Sequence, residues 1–339
     1  MKVTEVIDVA RQWVDEHGSA LPGFQGAYLA GSINEMAKDD PFPLFRDVDV
    51  YVVVDDPSRI PVPQEKFVYR GVLLERVSSS VAEHRSAETI LSSINAASVA
   101  HAHILSDPTG LLHELQSTVA AQYAHPQWIA ARCEGQKQFI AYMIGQADSA
   151  HDPVFFLGFT VLYLGGLVAL ADGHPPTVRR CLAVSGELLH AHGRPDLHES
   201  ILALLGSASM DRAEVVGHLE SCIPAFDTAV KVLSTPFYTS WNLHEGSRPY
   251  LIDGSWEMID AGQHREAMFW ISMMHSVAHT AIRNDAPEDH RAHYGARFDK
   301  LRAALGVPAD QDWHHRVELA RRLSEEVAQY AGARVAGHA

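Results

Sequence analysis

Asp47 and Asp49 stand two residues apart in Asp47-Val48-Asp49-Val50, which runs on through Tyr51 to Val54. A β-strand repeats every two residues, so this spacing puts both carboxylates on one face and Val48, Val50, Val52 and Val54 on the other. Two hard oxygen donors side by side suit Mg²⁺, which takes one or two carboxylates together with substrate phosphates. One or two such ions orient a triphosphate and neutralise charge on a leaving pyrophosphate. Glu75 lies inside the apolar run Val72-Leu73-Leu74-Glu75-Arg76-Val77. A lone carboxylate there is costly unless it is paired or metal-bound. On a strand beside the first, Glu75 would serve as a third metal ligand or as the base that takes a proton from a substrate hydroxyl. Upstream, residues 24–30 read as a strand that ends at Gly31-Ser32. The backbone N–H groups and hydroxyl at such a turn can hold a phosphate oxygen, and glycine leaves room for its approach.

Strands must hold these residues, and the flanking sequence supplies them. Val3, Val6, Ile7, Ala10, Trp13 and Val14 recur at helical spacing, which predicts an amphipathic helix over 3–17 closed at Gly18. Ser32 is expected to cap a short helix over 33–37, and a polar loop over 38–46 leads into the strand at 47–54. Residues 66–69 and 72–77 read as a hairpin turning at Arg70-Gly71. A helix is expected over 87–97 and a short edge strand over 102–105, closed by Asp107-Pro108. Beyond Pro108 the pattern turns helical, with helices expected over 110–123, 128–147, 153–171, 175–192, 197–205, 213–233, 256–261, 264–284, 299–305 and 311–332, and a frayed tail over 333–339. The expected fold class is α+β: a small mixed-sheet domain over 1–108 followed by an all-helical bundle domain over 109–339.

Leu29-Ala30-Gly31-Ser32, then Asp47-Val48-Asp49-Val50, then Glu75 on a later strand resembles the Gly-Ser, Asp-x-Asp and acidic pattern of the DNA polymerase β-like nucleotidyltransferase superfamily. Ile104-Leu105-Ser106-Asp107-Pro108-Thr109-Gly110 also resembles the closing segment of that domain in small bacterial members. Motif-level similarity covers residues 24–110. A sheet domain followed by a helical one resembles antibiotic (aminoglycoside-type) nucleotidyltransferases over most of the chain. Residues 33–46 make a longer loop between Ser32 and Asp47 than compact versions carry. The resemblance implies a catalytic domain over 1–108 and a substrate-binding domain over 109–339. It implies transfer of a nucleoside monophosphate, AMP from ATP, to a hydroxyl of a small molecule. Gly31 and Ser32 would then contact the nucleotide phosphates, Asp47 and Asp49 would bind Mg²⁺, and Glu75 would be ligand or base.

The formal charge of -15, from 42 acidic and 27 basic residues, repels a phosphate backbone. No Lys/Arg run offers a nucleic acid a separate patch. The same field favours a cationic acceptor of the aminoglycoside type. Glu257 and Asp260, beside Trp256, could grip an amine by charge and stacking. The plainer reading is a helix start capped by Ser255. Lys137 and Lys231, on expected helices of the second domain, are candidate nucleotide contacts; the plainer reading of each is a solvated helix face. His275 and His279 stand one helical turn apart, a spacing that can bind metal, but no acid completes the site and a packed pair is preferred.

Hydrophobic residues make up 47% of the chain, as in globular proteins. Cys133, Cys181 and Cys222 are widely spaced, which speaks against a disulfide framework or zinc site and fits a reducing cytoplasm. Met1-Lys2-Val3-Thr4-Glu5 does not open a signal peptide. Residues 154–171 are uncharged and close to the length of a membrane span, yet acidic flanks and Gly158, Gly165 and Gly166 point to a buried helix and no membrane. There is no Walker A or GxGxxG pattern, so P-loop and Rossmann readings have no support. The alternative to an enzyme is a non-catalytic nucleotide-binding or protein-interaction module on the same fold.

Overall fold

The computed structural model describes residues 1–43, 45–309 and 312–338. The fold is α+β, a five-stranded mixed sheet followed by helices. It divides into two compact units, Met1–Arg132 and Cys133–Ala339.

In the first unit the strands are β1 (Phe24–Ala30), β2 (Val48–Val54), β3 (Gln64–Tyr69), β4 (Val72–Ser80) and β5 (His103–Ser106). Their order is β3-β4-β2-β1-β5, with β2 and β4 parallel and the other neighbours antiparallel. Val48, Val50, Val52, Val54, Leu29 and Leu74 cover one face, where α1 (Val3–Glu16) buries the apolar stripe seen in the sequence. Tyr28 and Val53 face the other way. They pack with α2 (Ala87–Leu91), α3 (Ala96–Ala100) and α4 (Leu111–Gln122) through Ile90, Leu91, Val99, Leu112 and Val119. Arg132 closes this side. It is 1% exposed, donates to Leu91 O at 3.1 Å and Tyr123 O at 2.8 Å, and lies 4.4 Å from the Tyr123 ring centre. The first unit therefore continues past the composition change at Pro108.

Two local expectations fail here. The helix expected over 87–97 is two pieces, because the Ser92 hydroxyl turns back onto Glu88 O (3.0 Å) and Thr89 O (3.1 Å) as the first piece ends. Ser32 caps no helix, since the turn after β1 is a 3-10 segment already begun at Gly31.

The helices that follow are α5 (Pro126–Gly145), α6 (Pro153–Ala171), α7 (Cys181–Ala191), α8 (Pro195–Leu205), α9 (Arg212–Val232), α10 (Arg248–Asp260), α11 (His264–Asp285), α12 (Glu288–Ala304) and α13 (His314–His338). α6 is long and apolar enough to cross a membrane by length and composition, and 78% of its most apolar window is buried inside the protein. It packs against α7, α8, α11 and α13. α10 begins well before the expected start at residue 256, because Pro249 opens its first turn. Ser255 is therefore buried within the helix and does not cap it. α12 likewise begins at Glu288, ahead of residue 299. The last helix was expected from Gln311, which lies outside the described residues. It runs to His338 through the stretch expected to fray. Its last turns are held by Tyr330 Oη and Arg334 Nε, which donate to Asp172 at 3.0 and 2.7 Å. All three cysteines are buried, and none is in a disulfide.

His275 and His279 are packed, as the plainer sequence reading had it. Phe298 of α12 stacks on His279 at 4.3 Å and meets the His275 ring edge-on at 5.6 Å. His275 is 1% exposed, and neither ring nitrogen has a hydrogen-bond partner. Burial, reinforced by His279, His218 and Arg297, pushes the His275 imidazole down to about 3. The unfolded chain binds that proton near pH 6.5 and the folded chain does not. The cost is absent above about pH 6.5 and grows as pH falls toward about 3, reaching about 2 kcal/mol near pH 5. Urea melts between about pH 7 and about pH 5 should show His275→Phe losing less stability than the wild type by about that amount. Parallel slopes would show that His275 is not the group responsible.

Candidate active site

One row of the sheet gathers the charged side chains. Arg70 and Gly71 both have positive φ, 47° and 80°, the geometry of a tight two-residue hairpin turn. That turn sets Tyr69 opposite Val72, and counting back sets Lys66 opposite Glu75. Parallel pairing sets Glu75 beside Asp49, and antiparallel pairing sets Asp49 beside Ala30. Partners in register share a face. Lys66, Glu75 and Asp49 thus form one row across β3, β4 and β2, ending at the small side chain of Ala30. Asp47, one residue ahead of β2, joins them. Carboxylate oxygens of Asp47, Asp49 and Glu75 lie within 4.8 Å of one another. Among the described residues this is the group of three with metal-ligand spacing.

Lys66 escapes the sequence reading, although the Arg70-Gly71 turn already carried the register that reveals it. Its side chain is 3% exposed, bonds Asp47 Oδ2, and lies 3.0 Å from Glu75 Oε2. Gln64 Nε2 donates to Glu75 Oε1 at 2.6 Å. Burial alone would raise the Asp47 carboxyl, but Lys66, by charge and by hydrogen bond, holds it below the usual value. Asp49 goes the other way. Burial, then the Asp47 and Glu75 charges, push its carboxyl well above the usual range despite Lys66. Three carboxyl groups thus share one ammonium. With Lys66 as the cation paired to it among the described residues, the cluster holds more carboxyl groups than ammonium groups, and a divalent cation held by oxygen ligands fits that balance.

Gly31 has φ 74°, and a Cβ there would collide with Asp49 Oδ2. The turn can approach the carboxylates only because residue 31 is glycine. Gly31 and Ser32 are both exposed. Asn34 ties the turn to the sheet, donating to Leu29 O at 2.7 Å and accepting from His103 N at 3.3 Å. The long loop that follows is anchored on the start of α1. Val3 N and Thr4 N donate to Asp40 O and Lys38 O at 3.0 and 3.1 Å, and Phe42 is buried in the α1 face.

The other sequence-expected residues lie in the helical unit. Lys137 of α5 pairs with Glu134 one turn earlier at 2.6 Å, and Lys231 is exposed on α9. Glu257 faces Arg179 at 3.3 Å. Asp260 pairs with Arg212 at 2.7 Å, and that guanidinium lies 5.7 Å from the Trp256 ring centre.

No family model and no curated protein matches this sequence. Among solved structures, a nucleotidyltransferase-like protein from Exiguobacterium sibiricum 255-15 aligns with 96% of this chain and 89% of its own, at 12% identity and TM-score 0.27. A likeness at that TM-score carries no weight, and the site stands on its own geometry.

Replacing Lys66 by methionine removes the ammonium and leaves its buried partners uncompensated. Lys66→Met should cost about 3–5 kcal/mol in urea melts with EDTA present. Millimolar Mg²⁺ should restore part of that loss. A variant as stable as the wild type in EDTA would mean that the cluster carries little unpaired charge.

Proposed function

We propose that this chain is a metal-dependent nucleotidyltransferase. It transfers a nucleoside monophosphate, AMP from ATP, to a hydroxyl of a small molecule and releases pyrophosphate. The observation that carries this reading is the convergence of Asp47, Asp49 and Glu75 beside the Gly31-Ser32 turn. Asp47 and Asp49 would hold the cation, with Glu75 as third ligand. One or two Mg²⁺ ions, when bound, supply charge neutralisation for the triphosphate and the leaving pyrophosphate. Gly31 N–H and the Ser32 hydroxyl would hold the β- and γ-phosphate oxygens. The acceptor oxygen forms its bond to the α-phosphorus as the bond to the pyrophosphate oxygen breaks. If Glu75 is not a ligand, it would take the acceptor's proton.

The acidic balance of the chain favours a cationic acceptor, and an aminoglycoside-type antibiotic is the class we propose. Glu257 and Asp260 would engage its amines only in exchange for Arg179 and Arg212. Purified protein with ATP and MgCl₂ should release pyrophosphate in the presence of an aminoglycoside. Silence across aminoglycosides and lincosamides would remove the antibiotic assignment. Asp47→Asn keeps the shape and removes a ligand charge, and turnover should fall by about a hundredfold or more. Undiminished turnover in that variant would rule out this metal site.

Lys66 favours a second reading. It supplies the cluster with an internal cation, so a non-catalytic nucleotide-binding or protein-interaction module is compatible with the same geometry. Calorimetry with ATP tests this reading: tight binding that needs Mg²⁺ favours the enzyme, and its absence favours the protein-interaction module.

A further inference from the structure

The helical unit by itself holds a cavity of about 600 Å³, within the range of small-molecule sites. Its walls come from the last turns of α5, the connection over 146–152, the start of α6, residues 237–238 and the second half of α11. Aromatic rings dominate them. Phe155 lies 4.7 Å from Phe159, and Phe139 lies 4.5 Å from Tyr163. Phe159 in turn is 6.0 Å from both Tyr163 and Tyr238. Phe139 is 44% exposed and Tyr238 64% exposed, so the rings are not packed against one another to exclusion of water. Rings left facing open space forgo a large burial gain, which a bound apolar body would recover.

The charges of the wall are one-sided. Among the described residues no lysine or arginine lines it. Its one carboxylate among the described residues is Asp152, and His151 stands exposed beside it. Asp152 Oδ1 accepts from Val154 N at 2.9 Å and Phe155 N at 3.3 Å, while Oδ2 accepts from the buried Ser276 hydroxyl. α6 and α11 therefore fix this carboxylate in place. A carboxylate accepts about four hydrogen bonds, and the described residues supply three. Aromatic faces attract a cation, and here no side-chain ammonium or guanidinium of the wall competes for them. Phosphates and other anions would meet the Asp152 charge and, among the described residues of the wall, no lysine or arginine.

We propose that this cavity binds a ring-bearing organic amine, cationic at neutral pH, with its rings against the aromatic wall and its N–H toward Asp152. The proposal is independent of the nucleotidyl-transfer reading and would survive the loss of it. Three fluorescent probes test it on the full chain: rhodamine 6G (cationic), N-phenyl-1-naphthylamine (neutral) and anilinonaphthalene sulfonate (anionic). Rhodamine 6G should bind saturably at one site, at least about tenfold more tightly than either other probe. Two exposed positions on the wall give variants with little risk to folding. Tyr238→Ala should weaken rhodamine 6G severalfold by removing a ring. Ser149→Lys should weaken it about tenfold by like charge and leave the neutral probe unchanged. Thermal melts of both variants should match the wild type.

Equal binding of all three probes would overturn the proposal, as would rhodamine binding that both variants leave intact. The third overturning result is a dimer that Tyr238→Asp converts to monomer while no probe binds. The rings would then be a self-association surface.

Discussion

Carboxylates of like charge cannot be brought within a few ångströms of one another, out of water, without a compensating cation. That constraint organises the first unit. Asp47, Asp49 and Glu75 converge on the face of the sheet opposite α1, and Lys66 is the cation the chain itself supplies. One ammonium among three carboxyl groups holds Asp47 below its usual range and leaves Asp49 well above it. The sheet register sets Asp49, Glu75 and Lys66 in one row. A slip of one residue in β3 would carry Lys66 into the apolar face and leave Glu75 without its partner.

Much of the surrounding structure holds that row still. Val48, Val50, Val52 and Val54 anchor β2 against α1, so Asp49 has no freedom to turn away. Gly31 lets the end of β1 pass against the Asp49 carboxylate, where any side chain would collide. Asn34 fastens that turn to β5, and the loop beyond it is clamped on the start of α1. A longer loop between turn and strand is therefore compatible with a fixed site, because its length is taken up in contacts away from the carboxylates.

The helical unit follows different physics. Its helices bury apolar surface on nearly all sides of α6, and they bury His275 without a hydrogen-bond partner. Its acids are largely answered by arginines: Glu257 by Arg179, Asp260 by Arg212 and Asp172 by Arg334. What it leaves unfilled is the aromatic cavity around Phe159, where rings line open space and, among the described residues, no Lys or Arg side chain enters.

The sequence alone determined the α+β class, the α1 stripe, the alternation of β2 and the grouping of Asp47 with Asp49. Those features follow from spacings of two and of three to four residues, which short-range periodicity settles. It was also sufficient to suspect Glu75, since a carboxylate within an apolar strand demands a partner. Lys66 was legible in principle, because a two-residue turn at Arg70-Gly71 dictates its register with Glu75, but its own neighbourhood, Gln64-Glu65-Lys66, looks like any polar strand. Helix ends were read poorly where Pro249 opened α10 early and where Ser92 broke the 87–97 helix. Only the tertiary structure decided that β4 lies parallel and next to β2, which is what joins Glu75 to the aspartates. It alone paired Glu257 and Asp260 with arginines 78 and 48 positions earlier in the chain, and it alone assembled a cavity from three separate stretches of chain. Contacts of that kind join residues far apart in sequence, and no local period encodes them.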